Sequence, residues 1–570
     1  MIWKINDFVR LAGHKNAAVR KWACERTRAI YGRDGMKIIE PLLKDSDEDV
    51  FLSAMFYLQD FPDPKYVSPL AELYKNQTNY LAGIIAGYLA QNNELDWIPL
   101  FAERRQKPDF SRLETLHSLI ALGQTRAPEA RELLETVLSE TGAEADEDVL
   151  GALLESLLWH DNGCKAVFRF YAKFFKPHSA TVLHAIANRC GFSYPLEEFQ
   201  EQLKKGKSAF VDKAVKYLRA KNASHAAETF TQFFSKKLYA SAIRWLSDDA
   251  DERFVKPAEE KDKAFGRKTS IAENCLVTLA AFRDYVEWGP EKSHKLLAVV
   301  AIVIYSRLVE ESSFAGLDVA SADVDFLFGS LFEHRHDNTI DDQMIDSLIS
   351  RSSPTVIAKK ALDQIKKRPA SFATVRAIKL LGRIKCVEAI PAICRLFDSE
   401  CSDSFYETCT AFLLQMGIDF VEYVISGFSG FSDIQKTHFL LILKDIPREE
   451  TVDLFLHHWH EFWRCDKRTF VEALEGVADR RFIAPLRQEL VPEEIGEERA
   501  YYLLCKIHGH EDVILDEIEE RLHKQKLELK ELVDSFSSGN PLSMLNKPLK
   551  VEIKCRNCEK VYSYEVEGVI

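Results

Sequence analysis

From residue 5 to about residue 536 apolar positions return at the three-and-four spacing of amphipathic helices, and no strand-like alternation interrupts them before residue 549. The pattern also repeats. In LLGRIKCVEAIPAICRLF and LEGVADRRFIAPLRQEL, Gly382 precedes Pro391 by nine positions and Gly476 precedes Pro485 by the same nine. Loops near Gly417, Asp445 and Lys506 fill the series, with steps of 35, 28, 31 and 30 from Gly382 onward. Near the start of the chain Pro41, Pro69 and Pro99, spaced by 28 and 30, each open an apolar stretch. A period of about 30 residues predicts a stacked array of helical hairpins.

Each part of the unit has a physical reason. The first helix mixes small residues with large ones, so that Ala23 and Ala54 let neighbouring helices approach. Gly, Asp or Asn is expected to end it. Proline near the first turn of the second helix costs little, because its missing N–H would be unpaired there. Such a hairpin has one apolar face that only the next hairpin can cover.

LIALGQTRAPEARELLETVL (119–138) and ATVRAIKLLGRIKCVEAIPAICRLF (373–397) resemble HEAT repeats, particularly the short bacterial type also found in phycobilisome-lyase-like proteins. The resemblance covers roughly residues 15–195 and 351–530. It implies an all-α fold, an α-solenoid of HEAT-like hairpins, and says little about chemistry. The expected organisation is N-terminal repeats over 1–195, an irregular helical middle over 196–350, and C-terminal repeats over 351–536. The middle contains the stretch 247–270, where 13 of 24 residues are charged.

The period changes at the C-terminus. Gly539, Pro541 and Pro548 mark 537–548 as a linker. Over 549–570 Val551 and Ile553, then Tyr562, Tyr564 and Val566, alternate as strands do, around Cys555-Arg556-Asn557-Cys558. A C-x-x-C turn between two strands resembles a zinc-ribbon knuckle, with Arg556 and Glu559 where Pro and Gly are commoner. Zinc wants four ligands, and the chain has no second C-x-x-C, so Cys555 and Cys558 read as half of a zinc ribbon. The chain is then cut from a longer one, or shares the site with a second molecule, or draws on His or Asp elsewhere. Truncation is the simplest, and under it zinc binding is weak or absent.

Composition narrows the function. Of 570 residues 46% are hydrophobic and 29% charged, as in ordinary folded proteins. The net charge of −13 argues against nucleic acid and anionic membrane as partners. The most apolar run, 296–305, has about half the length of a membrane span and reads as a buried helix. The N-terminus has no signal-like apolar region, which makes the cytoplasm the expected location. Ten of twelve cysteines lie in helical apolar patterns, as reduced, buried cysteines do.

Two further constellations carry candidate chemistry. LFLHHWHEFWRC holds His457, His458, His460, Glu461 and Cys465, and on one continuous helix His457 and Glu461 would share a face at a metal-ligand spacing. The alternative there is a helix edge with Trp459, Phe462 and Trp463 half buried. Deoxyhypusine hydroxylases hold iron with His-Glu pairs at equivalent places in HEAT repeats; His460-Glu461 and His510-Glu511 are two such pairs where four are needed, and they sit at unlike distances from their loops. HEAT-like alkylpurine DNA glycosylases use a basic concave face with aromatic residues, whereas Trp22, Trp97, Trp245 and Trp288 are scattered and 236–246 is the best basic-aromatic stretch. No nucleotide-binding or hydrolase motif occurs. The expected function is a non-catalytic scaffold or adaptor that binds another protein on a curved solenoid surface; a nucleic-acid-binding or nucleic-acid-modifying HEAT-like protein and, more weakly, a His/Glu metalloenzyme are the alternatives.

Overall fold

The computed structural model describes residues 3–566 except 78–79, 107–111, 126, 142–145, 161–162, 190–206, 221–223, 236–290, 293, 302–303, 305–318, 334–337, 370, 399–402, 492–493, 538–548 and 555–560. Residues Met1–Pro62 and Val309–Leu522 gather into one compact unit, and Asp63–Leu308 with His523–Ile570 into a second. Up to Ser537 every regular element among the described residues is a helix. The chain begins in the first unit with α1 (Ile5–Ala12), α2 (Ala17–Tyr31), α3 (Ile39–Leu42) and α4 (Glu48–Asp60). Asn16 caps α2 by accepting the Val19 N–H, and Asp47 caps α4 by accepting those of Asp49 and Val50. Ala23 and Ala54 are fully buried, and α2 packs on α4.

The second unit opens with α5 (Val67–Asn76), α6 (Tyr80–Gln91), α7 (Trp97–Arg104), α8 (Arg112–Gln124) and α9 (Pro128–Glu140). It continues with α10 (Glu147–Leu158), α11 (Gly163–Lys173), α12 (Phe175–Arg189), α13 (Lys207–Ala220) and α14 (Ser224–Ser235). The hairpins stack in two layers. In one, α6, α8, α10 and α12 pack in succession; in the other, α5, α7, α9 and α11 do. Pro69 and Pro99 lie in the first turns of α5 and α7, where no helical hydrogen bond is lost. The described part of the apolar run, 296–301 and Ile304, is buried.

The chain re-enters the first unit through α15 (Val324–Glu333), α16 (Asn338–Arg351), α17 (Pro354–Lys367), α18 (Phe372–Arg383) and α19 (Ile390–Cys394). Then come α20 (Asp403–Met416), α21 (Ile418–Gly427), α22 (Asp433–Leu443), α23 (Glu449–His457) and α24 (Trp459–Val477). The last helices are α25 (Ile483–Glu489), α26 (Ile495–His508) and α27 (Leu515–Ser537). Again alternate helices pack: α18 on α20, α20 on α22, α22 on α24, and α24 on α26. Among the described residues no single helix is long and apolar enough to cross a membrane; the bent apolar pair α20 and α21 buries Phe412, Leu413, Phe420 and Val421 in this core.

Glycine plays a different part here from the one expected. Gly382 and Gly476 do not end their helices, which run on to Arg383 and Val477. They mark close approaches: a Cβ on Gly476 would lie 2.6 Å from Lys444 Cβ, and one on Gly382 would lie 2.8 Å from Gln415 Oε1. The left-handed residues that follow are Lys385 (φ 52°) and Ala478 (φ 49°). Pro391 and Pro485 fall in the first turns of α19 and α25, each after one 3-10 turn.

The stack does not stop at α26. Its next neighbour is α2, so the N-terminal helices continue the series after the C-terminal ones. Hydrogen bonds close this junction at helix ends. The last carbonyls of an α-helix have no partner within it. At the end of α24, Glu475 O accepts from Trp22 Nε1 at 2.8 Å, Val477 O accepts from Trp3 Nε1 at 2.8 Å, and His508 Nε2 lies 2.9 Å from Ala478 O. Beyond α22, Arg26 donates to Asp445 Oδ1 and to Lys444 O, at 2.5 and 2.6 Å.

Strands β1 (Leu549–Lys554) and β2 (Val561–Val566) pair antiparallel. The register sets Leu549 opposite Val566, Val551 opposite Tyr564, and Ile553 opposite Tyr562.

Candidate functional site

Cys555 and Cys558 lie outside the described residues, between Lys554 and Val561, which are paired partners at the ends of β1 and β2. The helical candidates can be placed. α23 ends at His457, and His458 (φ −109°, ψ 27°) breaks the helix before α24 begins. His457 and Glu461 therefore sit on different helices, and the shared-face spacing is lost.

Glu461 instead faces His458, with Oε1 3.3 Å from Nδ1, and Lys436, with Nζ at 3.5 Å. The His458 ring stacks on Phe428 at 3.7 Å, and Lys436 Nζ lies 4.7 Å from the centre of the same Phe428 ring. Burial pushes the Glu461 carboxyl up, but His458 and Lys436 more than offset this and leave it below the usual value. His460 is exposed, 3.9 Å from Glu489. The Cys465 thiol meets Asp433 at 3.1 Å, and burial with that carboxylate pushes it up to about 11, far from a reactive thiolate. Trp459 and Phe462 are fully buried and only Trp463 is half exposed, so this edge belongs to the core more than the sequence indicates. Among the described residues no group of three His, Cys, Asp or Glu side chains could hold a metal ion.

The two His-Glu pairs are unlike in place. His460-Glu461 occupies the first turn of α24, whereas His510-Glu511 follows the Gly509 that ends α26. The tryptophans are structural where described: Trp22 serves the junction above, and Trp97 donates to Glu94 O at 3.1 Å. Trp245, Trp288 and the stretch 236–246 lie outside the described residues.

A set of polar contacts that sequence reasoning missed runs between neighbouring helices of the first unit. Lys444, just past α22, pairs with Glu472 of α24, and Arg499 of α26 grips Glu475 of α24 with two bonds of 2.9 Å. Between α2 and α4, Ser53 Oγ donates to Glu25 at 3.1 Å and Arg28 Nε donates to Asp60 at 2.6 Å. Burial raises the Glu475 carboxyl, and Arg499 opposes that rise. The available signal was polar partners about one repeat apart in sequence, such as 444 with 472. These contacts fasten each helix to its neighbour in the stack.

Comparison with family models, with characterised proteins and with solved structures finds nothing that matches the chain.

Proposed function

We propose that the chain is a non-catalytic scaffold, an α-solenoid of HEAT-like hairpins whose repeat surface binds another protein. The observation that carries this reading is the succession α18, α20, α22, α24, α26, α2, α4, in which each helix packs on the next and exposed edges remain at Glu407 and Gln415 of α20, Arg464 and Glu472 of α24, and Glu25 of α2. A surface built from such edges meets a partner at many points, which suits recognition. Seven described cysteines are not joined in disulfides, six of them buried, and this fits work in a reducing compartment such as the cytoplasm. Cys555 and Cys558 are assigned in the same proposal as two thiolate ligands of zinc, because they fall among the six residues between the paired Lys554 and Val561.

Affinity capture of the full chain from its native host, followed by mass spectrometry and titration of the purified pair, tests the scaffold reading. The expected result is a protein that binds saturably at fixed stoichiometry in physiological salt. Recovery of nucleic acid that stays bound at that salt, or of no protein that binds on titration, would overturn it.

A further inference from the structure

Most cations whose contacts are described in the first unit face a carboxylate. Arg20 pairs with Asp45, Arg487 with Asp512, Arg521 with Glu498 and Lys506 with Glu519, among others. One segment departs from this. Residues 354–397 carry ten basic and two acidic residues, in a chain whose net charge is −13. Three of the ten, Lys360, Arg376 and Arg383, face Asp325, Asp341 and Asp342. On α17, Lys359, Lys366 and Lys367, with Arg368 just past its end, are exposed and pair with no carboxylate among the described residues.

Their placement follows from how α17 packs. Ile357, Ala361 and Ile365 form its buried stripe. At 100° per residue Lys359 and Lys366 fall on the opposite side, with Lys367 a quarter-turn away and Asp363 between. The row from Lys359 to Arg368 spans roughly 14 Å at 1.5 Å per residue. The helix dipole accounts for cations in the last turn, Lys366 to Arg368, but not for Lys359 nearly two turns earlier. An apolar side chain lies on the same side of the helix: Val356 is 45% exposed.

We infer that the exposed face of α17 docks a short acidic, amphipathic segment of a partner protein, with carboxylates on Lys359, Lys366 and Lys367 and an apolar side chain against Val356. Charge complementarity and size select this occupant over nucleic acid. A duplex would run past so short a row onto an otherwise acidic molecule, and at physiological salt the field of the row reaches only about 8 Å. A peptide keeps its charge within the row.

This inference deepens the scaffold reading and rests on it. The test uses the full chain, a fluorescein-labelled peptide of alternating Glu and Leu, and a short DNA duplex, with anisotropy read at about 50 mM and about 200 mM salt. Two triple variants change the net charge equally: K359E/K366E/K367E on α17, and K15E/K37E/K44E at exposed lysines elsewhere in the same unit. Circular dichroism checks that both remain folded. The expected result is peptide binding that weakens with salt, falls about tenfold in the α17 variant and is unchanged in the other. Equal losses in both variants would reduce the effect to net charge, tighter binding of the duplex at the higher salt would make the face a nucleic-acid surface, and no peptide binding at the lower salt would leave it a solvated face; each overturns the inference. A host protein that binds wild type and α17 variant alike would overturn this inference and leave the scaffold reading standing.

Discussion

Replacing Gly476 by alanine tests whether glycine marks the points where stacked helices come closest. The added Cβ would lie 2.6 Å from Lys444 Cβ and 3.2 Å from Lys444 O. Carbon atoms pack best at roughly 3.5–4.0 Å, so α24 and the end of α22 must part by about 1 Å. Overpacking of this kind costs about 1–3 kcal/mol. Against it stands the better helix propensity of alanine, up to about 1 kcal/mol, which leaves a net loss centred on about 1 kcal/mol. The displaced Lys444 carbonyl also accepts from Arg26, so part of the loss should appear in the N-terminal junction. Gly382→Ala is the internal control. Its Cβ would meet Gln415 Oε1 at 2.8 Å, the free end of a side chain that can swing away, and the expected change lies near zero or on the stabilising side. Urea unfolding followed by far-UV circular dichroism compares the two. G476A as stable as the wild type, or G382A the more damaging, would refute the close-approach account.

Trp22→Phe and Trp3→Phe each leave a carbonyl of α24 without its indole donor, and each should cost about 1–3 kcal/mol by urea unfolding, with faster proteolytic release of the N-terminal helices. The Tyr501 hydroxyl, with the Ile514 N–H and Arg487, holds the Asp512 carboxyl at about 2 against an ordinary 3.8. Because the folded value is the lower one, Asp512 contributes stability above about pH 4 that is lost as the pH falls toward 2, and D512N should flatten the unfolding midpoint over that window. Zinc measured by mass spectrometry in the purified protein should fall below one per chain and drop to background in C555S/C558S; one tightly held zinc per monomer would show that four ligands are already present.

The helical period was legible because proline recurs at the start of several second helices. Pro69, Pro99, Pro391 and Pro485 all lie in first turns, as the missing N–H requires. Gly382 was visible as a marker but its work was not, since only the neighbouring helix shows that the backbones nearly touch there. The succession of repeats in space could not be read at all. Nothing in a 30-residue period says that α2 follows α26, because Trp3, Trp22 and Arg26 look like any amphipathic helix residues until the free carbonyls of α24 and the end of α22 are placed beside them. The His457 to Glu461 spacing misled for a local reason: it assumed one helix, and His458 breaks it.

Hydrogen–deuterium exchange on the full chain, with and without the protein recovered by affinity capture, tests the scaffold claim most directly. A partner lying along stacked edges should protect peptides from several of α17, α18, α20, α22, α24, α26 and α2, with maxima recurring roughly every 30 residues. Protection confined to a single peptide, or a bound partner that protects none of these helices, would contradict it.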